Sequence, residues 1–247
     1  MPDVAGFRAK IGVLIPSTNT IVEADCSALH IPGVTFHTGR MYIAHHKLGS
    51  DRAFEQLMAE INASLDIGLR DVLTCEPDYL IMGMSAPAFW GGKKGGQKFI
   101  EEIQAKSGLK ISTGAEACRT ALEAVQAKRI AVFTPAQPVM LEHIVRYFEE
   151  CGFTVVRQTA MQAASAMAIA HITLTELRPV IKALDGPDID AIVQCGTNLS
   201  MARLAAEAEV WLGKPVIAVN TALLWHAYRQ NGFNDRLYGF GTLLNKY

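Results

Sequence analysis

The chain has 247 residues, half of them hydrophobic and 19% charged, and its 23 basic and 24 acidic residues leave a net charge of −1. That length holds one large domain or two small ones with a sizeable core. The even charge balance excludes a sequence-independent nucleic-acid binder, an anionic-membrane binder and an acidic tail. No run reaches the roughly 18 apolar residues of a membrane span, and the charged segment before Ile11 does not read as a secretory leader. The expected compartment is the cytoplasm. The five scattered cysteines, Cys26, Cys75, Cys118, Cys151 and Cys195, are expected there as free thiols.

Short apolar runs alternate with longer helical stretches. Lys10 to Pro16 reads as a buried parallel strand. Thr20 and Glu23 have capping-box spacing, which predicts a helix start at that point and assigns Glu23 to the cap. Phe54 to Asp71 has helical spacing through Leu57, Ile61, Leu65 and Leu69. Tyr79 to Met82 is a second buried strand running into Gly83, Met84 and Ser85. Gly91 to Lys98 is glycine-rich and basic without satisfying a phosphate-loop pattern; it reads as a mobile loop, a lid or plain linker. A helix from Gln97 to Lys106 follows, then a short strand from Leu109 to Ser112. Thr113 and Glu116 repeat the capping-box spacing and open a helix that ends near Gln126.

The order then begins again. Arg129 to Pro135 echoes the first strand, and Pro138 to Cys151 is helical with Gly152 as its stop. Phe153 to Arg157 is a strand, and Thr173 with Glu176 caps a helix to about Leu184. The strand Asp190–Gln194 leads into Cys195, Gly196 and Thr197, where another helix start is expected. A strand over Pro215–Val219 precedes a helix through Trp225 and Tyr228. Pro16 corresponds to Pro135, Gly83 to Cys195, and Ile111 to Ile217. A repeat of roughly 120 residues is the size of one small doubly wound domain. The expectation is an α/β fold of two tandem pseudo-symmetric doubly wound lobes with parallel sheets. They span residues 1–127 and 128–247, with the C-terminal helix free to pack back on the first lobe.

In open parallel sheets, ligands bind beyond the carboxyl ends of the strands. The candidate segments are therefore Pro16–Asn19, Gly83–Ser85, Thr134–Ala136, Cys195–Asn198 and Asn220–Thr221. They are small and hydroxyl-rich, and none contains an acidic or basic residue. A cleft between two such lobes suits a small carboxylate held by amides and hydroxyls. Asn19 is a candidate carboxylate donor or a turn residue before a helix. Cys195, at a strand end before the expected helix, is a candidate reactive thiol of lowered pKa or a structural core cysteine. His45 and His46 are adjacent and lack zinc-helix spacing, so no metal is expected. No dinucleotide fingerprint follows the first strand, so no nucleotide cofactor is expected.

Taken together, these loops resemble the aspartate/glutamate racemase superfamily, in its branch of maleate cis-trans isomerases and arylmalonate decarboxylases. The stretch Ile11–Thr20 with Glu23 is similar to the isomerase opening motif. Gly83–Ser85 with Phe89 and Gly92 resembles the decarboxylase loop. Val193–Gly196 resembles the second cysteine motif of both groups, and Trp225 falls where decarboxylases carry an aromatic residue. The resemblance implies two α/β lobes with the site between them and no cofactor. Racemases and isomerases of the family use one thiol from each lobe, whereas the decarboxylase branch has glycine at the first position and a single cysteine. Gly83 and Cys195 follow the decarboxylase arrangement.

The implied activity is a cofactor-independent lyase that decarboxylates a substituted malonate or similar acid through an enediolate protonated by Cys195. One carboxylate would be held near Ser17, Met84, Ser85 and Gly196, and the other would lie against Met84, Phe89 and Leu199. Pro16, Asn19, Gly83, Thr134, Ala136 and Thr197 complete the expected substrate-binding set. Two positions depart from the decarboxylase pattern: Met84 replaces a hydroxyl residue and Ala136 replaces a tyrosine. The alternatives are a maleate cis-trans isomerase or racemase-type isomerase, and a non-catalytic carboxylate binder. The expected partner is a small carboxylate or dicarboxylate, without nucleic acid or membrane; a homo-oligomer is left open.

Overall fold

The structure is a computed structural model that describes residues 3–44 and 51–247; within 51–62, side chains are described only at 56, 60 and 61. His45, His46 and the Leu57 side chain lie outside the described residues. The first half runs β1 (Ala9–Pro16), α1 (Val22–Ala28), β2 (Val34–Met41), α2 (Asp51–Leu73), β3 (Tyr79–Met82), α3 (Ser85–Phe89), α4 (Gly92–Ser107), β4 (Ile111–Thr113) and α5 (Gly114–Ala124). The second runs β5 (Arg129–Thr134), α6 (Pro138–Glu150), β6 (Thr154–Ala160), α7 (Ala166–His171), α8 (Leu174–Leu184), β7 (Ala191–Gln194), α9 (Ala202–Leu212), β8 (Val216–Ala218), α10 (Val219–Gln230) and α11 (Thr242–Lys246).

All strand pairs are parallel, in two four-stranded sheets ordered β2-β1-β3-β4 and β6-β5-β7-β8. The identical order supports the internal duplication, and it extends to single bonds. Lys10 of β1 exchanges main-chain bonds with Asp78, whose Oδ2 accepts from Lys10 N at 2.9 Å and whose N donates to Lys10 O at 2.8 Å. Arg129 of β5 does the same with Asp190, at 2.8 and 2.7 Å. Both sheets place β1 and β5 in the middle, where the uninterrupted apolar runs are buried on both faces.

Four sequence expectations need correction. Helix α1 starts at Val22 rather than Thr20, and neither Thr20 nor Glu23 caps it: Asn19 Oδ1 accepts from the Ile21 and Val22 N–H groups, each at 3.0 Å. Glu23 instead pairs with Arg40. At α5 only half of the capping box forms, because Thr113 accepts from Glu116 N while the Glu116 carboxylate turns to Arg119. At α8 both halves form.

The glycine-rich stretch is not a loop but the first two turns of α4. Its glycines serve close packing: a Cβ on Gly95 would stand 1.9 Å from the Trp90 carbonyl oxygen, and one on Gly96 2.5 Å from that of Ala88. Finally, no helix begins at Gly196. The chain crosses seven residues after β7 before α9 opens at Ala202.

Helix α10 is buried at every position from Val219 to Tyr228. It packs against α5, α1 and β4 as well as β8. Two of its polar groups are bonded inward: Tyr228 Oη donates to Leu29 O at 2.7 Å, and His226 Nδ1 lies 2.7 Å from Ser112 Oγ. Among the described residues no helix is long and apolar enough to cross a membrane.

Candidate active site

The carboxyl ends of both sheets meet over one cavity of about 610 Å3, mouth included. Pro16 and Asn19 come from the end of β1, Met84, Ser85 and Ala86 from the end of β3, Pro135 and Ala136 from β5, and Cys195 to Asn198 from β7. Ile43, Met140, Ala166 and Ile169 close the apolar side. Among the described residues that line it, none is charged.

Of the sequence-derived set, Pro16, Asn19, Met84, Ser85, Ala136, Cys195, Gly196 and Thr197 line this cavity. Ser17, Gly83 and Thr134 do not. Ser17 Oγ accepts from Ile43 N at 3.1 Å, and Thr134 Oγ1 accepts from Ala136 N at 3.3 Å, so both hydroxyls shape loops. Gly83 offers its carbonyl to Thr197 Oγ1, which donates at 2.9 Å. A Cβ at Gly83 would lie 2.5 Å from Ile15 Cγ2 and 3.1 Å from Val22 Cγ1, both in the core. The apolar wall also differs from expectation. Phe89 is fully buried against Tyr147 and Phe148, and Leu199 belongs to the second core; Ile43, Met140 and Ile169 take their place. Trp225 is buried on α10 with no partner for its indole N–H, away from the cavity lining.

Two lining donors are unpartnered. Asn19 is 1% exposed, and the two N–H groups held by its Oδ1 fix the amide so that Nδ2 remains without a partner. Ser85 Oγ, 8% exposed, has none either. Buried donors left open within a cavity need an acceptor, and an anionic oxygen supplies the strongest one.

Cys195 is 1% exposed. Its N–H continues the sheet by donating to Phe133 O at 2.8 Å. Burial, together with the neighbouring Cys118 thiol, pushes the Cys195 thiol well above its ordinary value. This reverses the sequence expectation of a lowered pKa, for the reason already seen in the backbone: no helix starts at the thiol, so no dipole offsets its burial. The resting group is a neutral S–H, an acid rather than a thiolate nucleophile.

The Cys195 loop is held by its own neighbours and by residues that the sequence does not single out, such as Gln194 and Cys118. Gln194 Nε2 donates to Gly196 O at 2.8 Å. Gly196 packs so closely on Pro135 that a Cβ would come within 2.4 Å of its ring. Asn198 Oδ1 accepts from Thr20 N at 3.0 Å, and its Nδ2 donates to Ala166 O at 2.9 Å, binding the loop to both halves of the molecule. Cys118 sits behind Cys195, fully buried on α5 and outside the cavity lining. No sequence signal distinguishes it from an ordinary core cysteine. Arg40 donates to Ser17 O at 3.0 Å and steadies the β1 loop from outside. Among the described residues no group of three or more His, Cys, Asp or Glu side chains could hold a metal ion.

The profile of the family described as arylmalonate decarboxylase matches residues 11–244. The maleate isomerase of Nocardia farcinica is 26% identical over 252 residues, covering 98% of this chain and 97% of that protein. The maleate isomerase of Pseudomonas putida is 25% identical, with 96% and 97% covered. A solved structure of the Nocardia farcinica maleate cis-trans isomerase superposes with a TM-score of 0.88 at 25% identity, over 96% of this chain and 98% of the other. A liganded mutant of arylmalonate decarboxylase superposes with a TM-score of 0.84 at 18% identity, over 96% and 99%. At that identity the second superposition speaks for the fold alone.

Proposed function

The chain belongs to the arylmalonate decarboxylase family, and on that premise we propose that it is a cofactor-independent lyase removing carbon dioxide from a substituted malonate or similar small acid. The observation that carries this reading is a single neutral thiol, Cys195, facing a cavity whose described lining residues carry no charge, with glycine at the other thiol position of the family. One carboxylate of the substrate accepts from Asn19 Nδ2 and Ser85 Oγ. The other lies against Ile43, Met84, Met140 and Ile169, where an anion is poorly solvated. The C–C bond to that carboxylate breaks, carbon dioxide leaves, and the electron pair passes into the enediolate of the retained carboxylate. The same donors, already in place and shielded from water, hold the growing charge. Cys195 Sγ then gives its proton to the carbon and is reprotonated from solvent. Burial keeps the donor protonated at rest, and because an enediolate carbon is far more basic than a thiolate, the transfer is still favourable from a raised thiol.

The matched curated proteins favour a second reading, isomerisation of maleate or a related dicarboxylate. That reaction would need a second group acting at the carbon opposite Cys195. A turnover screen of substituted malonates, maleate and amino acids with wild type and Cys195→Ala tests both. Carbon dioxide release that disappears in Cys195→Ala supports the lyase. Conversion of maleate to fumarate without carbon dioxide replaces it with the isomerase, and malonate turnover unchanged in Cys195→Ala removes the thiol from the chemistry.

A further inference from the structure

Beside the cavity, a polar chain runs from the first sheet's helices into the loop that carries Cys195. Asp25, on the face of α1 toward α10, is followed by Asn220 in the first turn of α10. Asn220 is 4% exposed, and both hydrogens of its amide are used. Nδ2 donates to Asp25 Oδ2 at 2.7 Å and to Thr197 O at 2.9 Å. Its Oδ1 is buried without a partner. Thr197 lines the cavity two residues after Cys195, and its own hydroxyl is bound to Gly83 O. Neither Asp25 nor Asn220 lines the cavity.

We propose that Asp25 and Asn220 are positioning residues for the Cys195 loop, the Asp25 carboxylate fixing the Asn220 amide and that amide holding the Thr197 carbonyl. An amide can present either its N–H or its oxygen to a given partner. Here the Thr197 carbonyl accepts only, and a charged Asp25 also accepts only, so both select the N–H orientation. If Asp25 takes up a proton, its remaining acceptor oxygen binds the amide less strongly than a carboxylate does. The Asn220 amide is then held less firmly against Thr197 O, and the loop's tie to α10 weakens. The catalytic consequence rests on the proposed role of Cys195; the structural coupling does not.

Proton uptake falls in an accessible range. Burial pushes the Asp25 carboxyl up to about 6, with the Asn220 bond opposing. The other titratable groups around it are few. Glu23, on the same helix, is paired with Arg40, and the Cys26 thiol is itself raised by burial and by the Asp25 and Glu23 charges. From α10, Asn220 does not titrate, and His226 and Tyr228 lie further along the helix, bonded to Ser112 and Leu29 O.

Amide hydrogen exchange of the segment from Cys195 to Leu199, corrected for intrinsic rates, tests the coupling without a substrate. In wild type, protection of this segment should fall as pH drops through about 6. Asp25→Asn offers an acceptor that does not titrate, so its protection should stay level across the same range. Asn220→Ala should lower protection about tenfold at every pH, the size of one lost buried hydrogen bond. If Asp25→Asn keeps the wild-type midpoint, or folded Asn220→Ala exchanges like wild type, the coupling is wrong. Should Asn220→Ala not fold, the isosteric Asp25→Asn decides alone. With a substrate in hand, the acid limb of kcat should follow the same midpoint and vanish in Asp25→Asn, while Cys195→Ala reports separately on the thiol.

Discussion

At the scale of single residues, the site depends on what burial does to donors. Asn19, Ser85 and Cys195 are all shielded from water, and Asn19 Nδ2 and Ser85 Oγ have no protein partner. The raised Cys195 thiol makes a direct prediction: its alkylation by iodoacetamide is slow at pH 7 and keeps climbing beyond pH 9, its ordinary value. A plateau below pH 8 would mean a thiolate at rest and would contradict the acid role. Gly83 makes another. Ile15 is β-branched and cannot swing aside cheaply, so Gly83→Cys should destabilise the fold by about 1–3 kcal/mol, as overpacking does. The loss should shrink when Ile15→Ala opens the space. Thermal melts of the single and double variants check this.

At the scale of elements, the sequence was most readable where a rule is local. Strands β1, β3, β5 and β7 follow from uninterrupted apolar runs, and the cap at α8 from Thr173 and Glu176. It misled where a rule has two readings. The same S/T-x-x-E spacing caps α8, half-caps α5 and does not cap α1, because Arg40 draws the Glu23 carboxylate away and Asn19 reaches the N–H groups first. Glycine richness suggested a loop, yet Gly95 and Gly96 are there because α3 and its following turn lie too near for a side chain. Gly95→Ala, which gains about 1 kcal/mol in an isolated helix, should therefore destabilise this protein, and a denaturant midpoint gives the sign. The sequence does not mark β2, and it places the helix after β7 at Gly196 instead of Ala202. β2 is half exposed along its middle and lacks a continuous apolar run.

Asp190 belongs to this scale as well. Bonds from the Arg129 N–H and guanidinium, with the Lys128 N–H adding to them, hold its carboxyl down at about 2. Its contribution is present above the unfolded value of 3.8 and is lost as pH falls toward 2. Asp190→Asn should cost on the order of 1 kcal/mol at pH 7, modest because the pair is partly solvated. It should cost nothing measurable at pH 2.

At the scale of the whole molecule, the duplication was legible because both halves repeat one order of strands and loops, and the sheets have the same topology. The location of the site followed from that topology through the rule for strand ends. The ties between halves were not legible. Thr20 to Asn198, Thr197 to Gly83 and Asn220 to Asp25 link residues far apart in the chain, and only the assembled fold brings them together. Asp25 carries a global consequence. Its raised value means the folded protein prefers the neutral form, so its contribution to stability is fully present below the unfolded value of 3.8 and is lost as pH rises through about 6. Asp25→Asn should thus raise the melting temperature at pH 7 and leave it unchanged at pH 3.5. A charge retained against stability fits a carboxylate that orients its neighbour.

The central claim is that one thiol delivers a proton to one face of an enediolate. The most direct measurement is the product formed from a prochiral disubstituted malonate in deuterated water. The account predicts a single enantiomer carrying one deuterium at the carbon that lost carbon dioxide, with its formation abolished in Cys195→Ala. A racemic product, or the same enantiomer formed at an unchanged rate by Cys195→Ala, would contradict it.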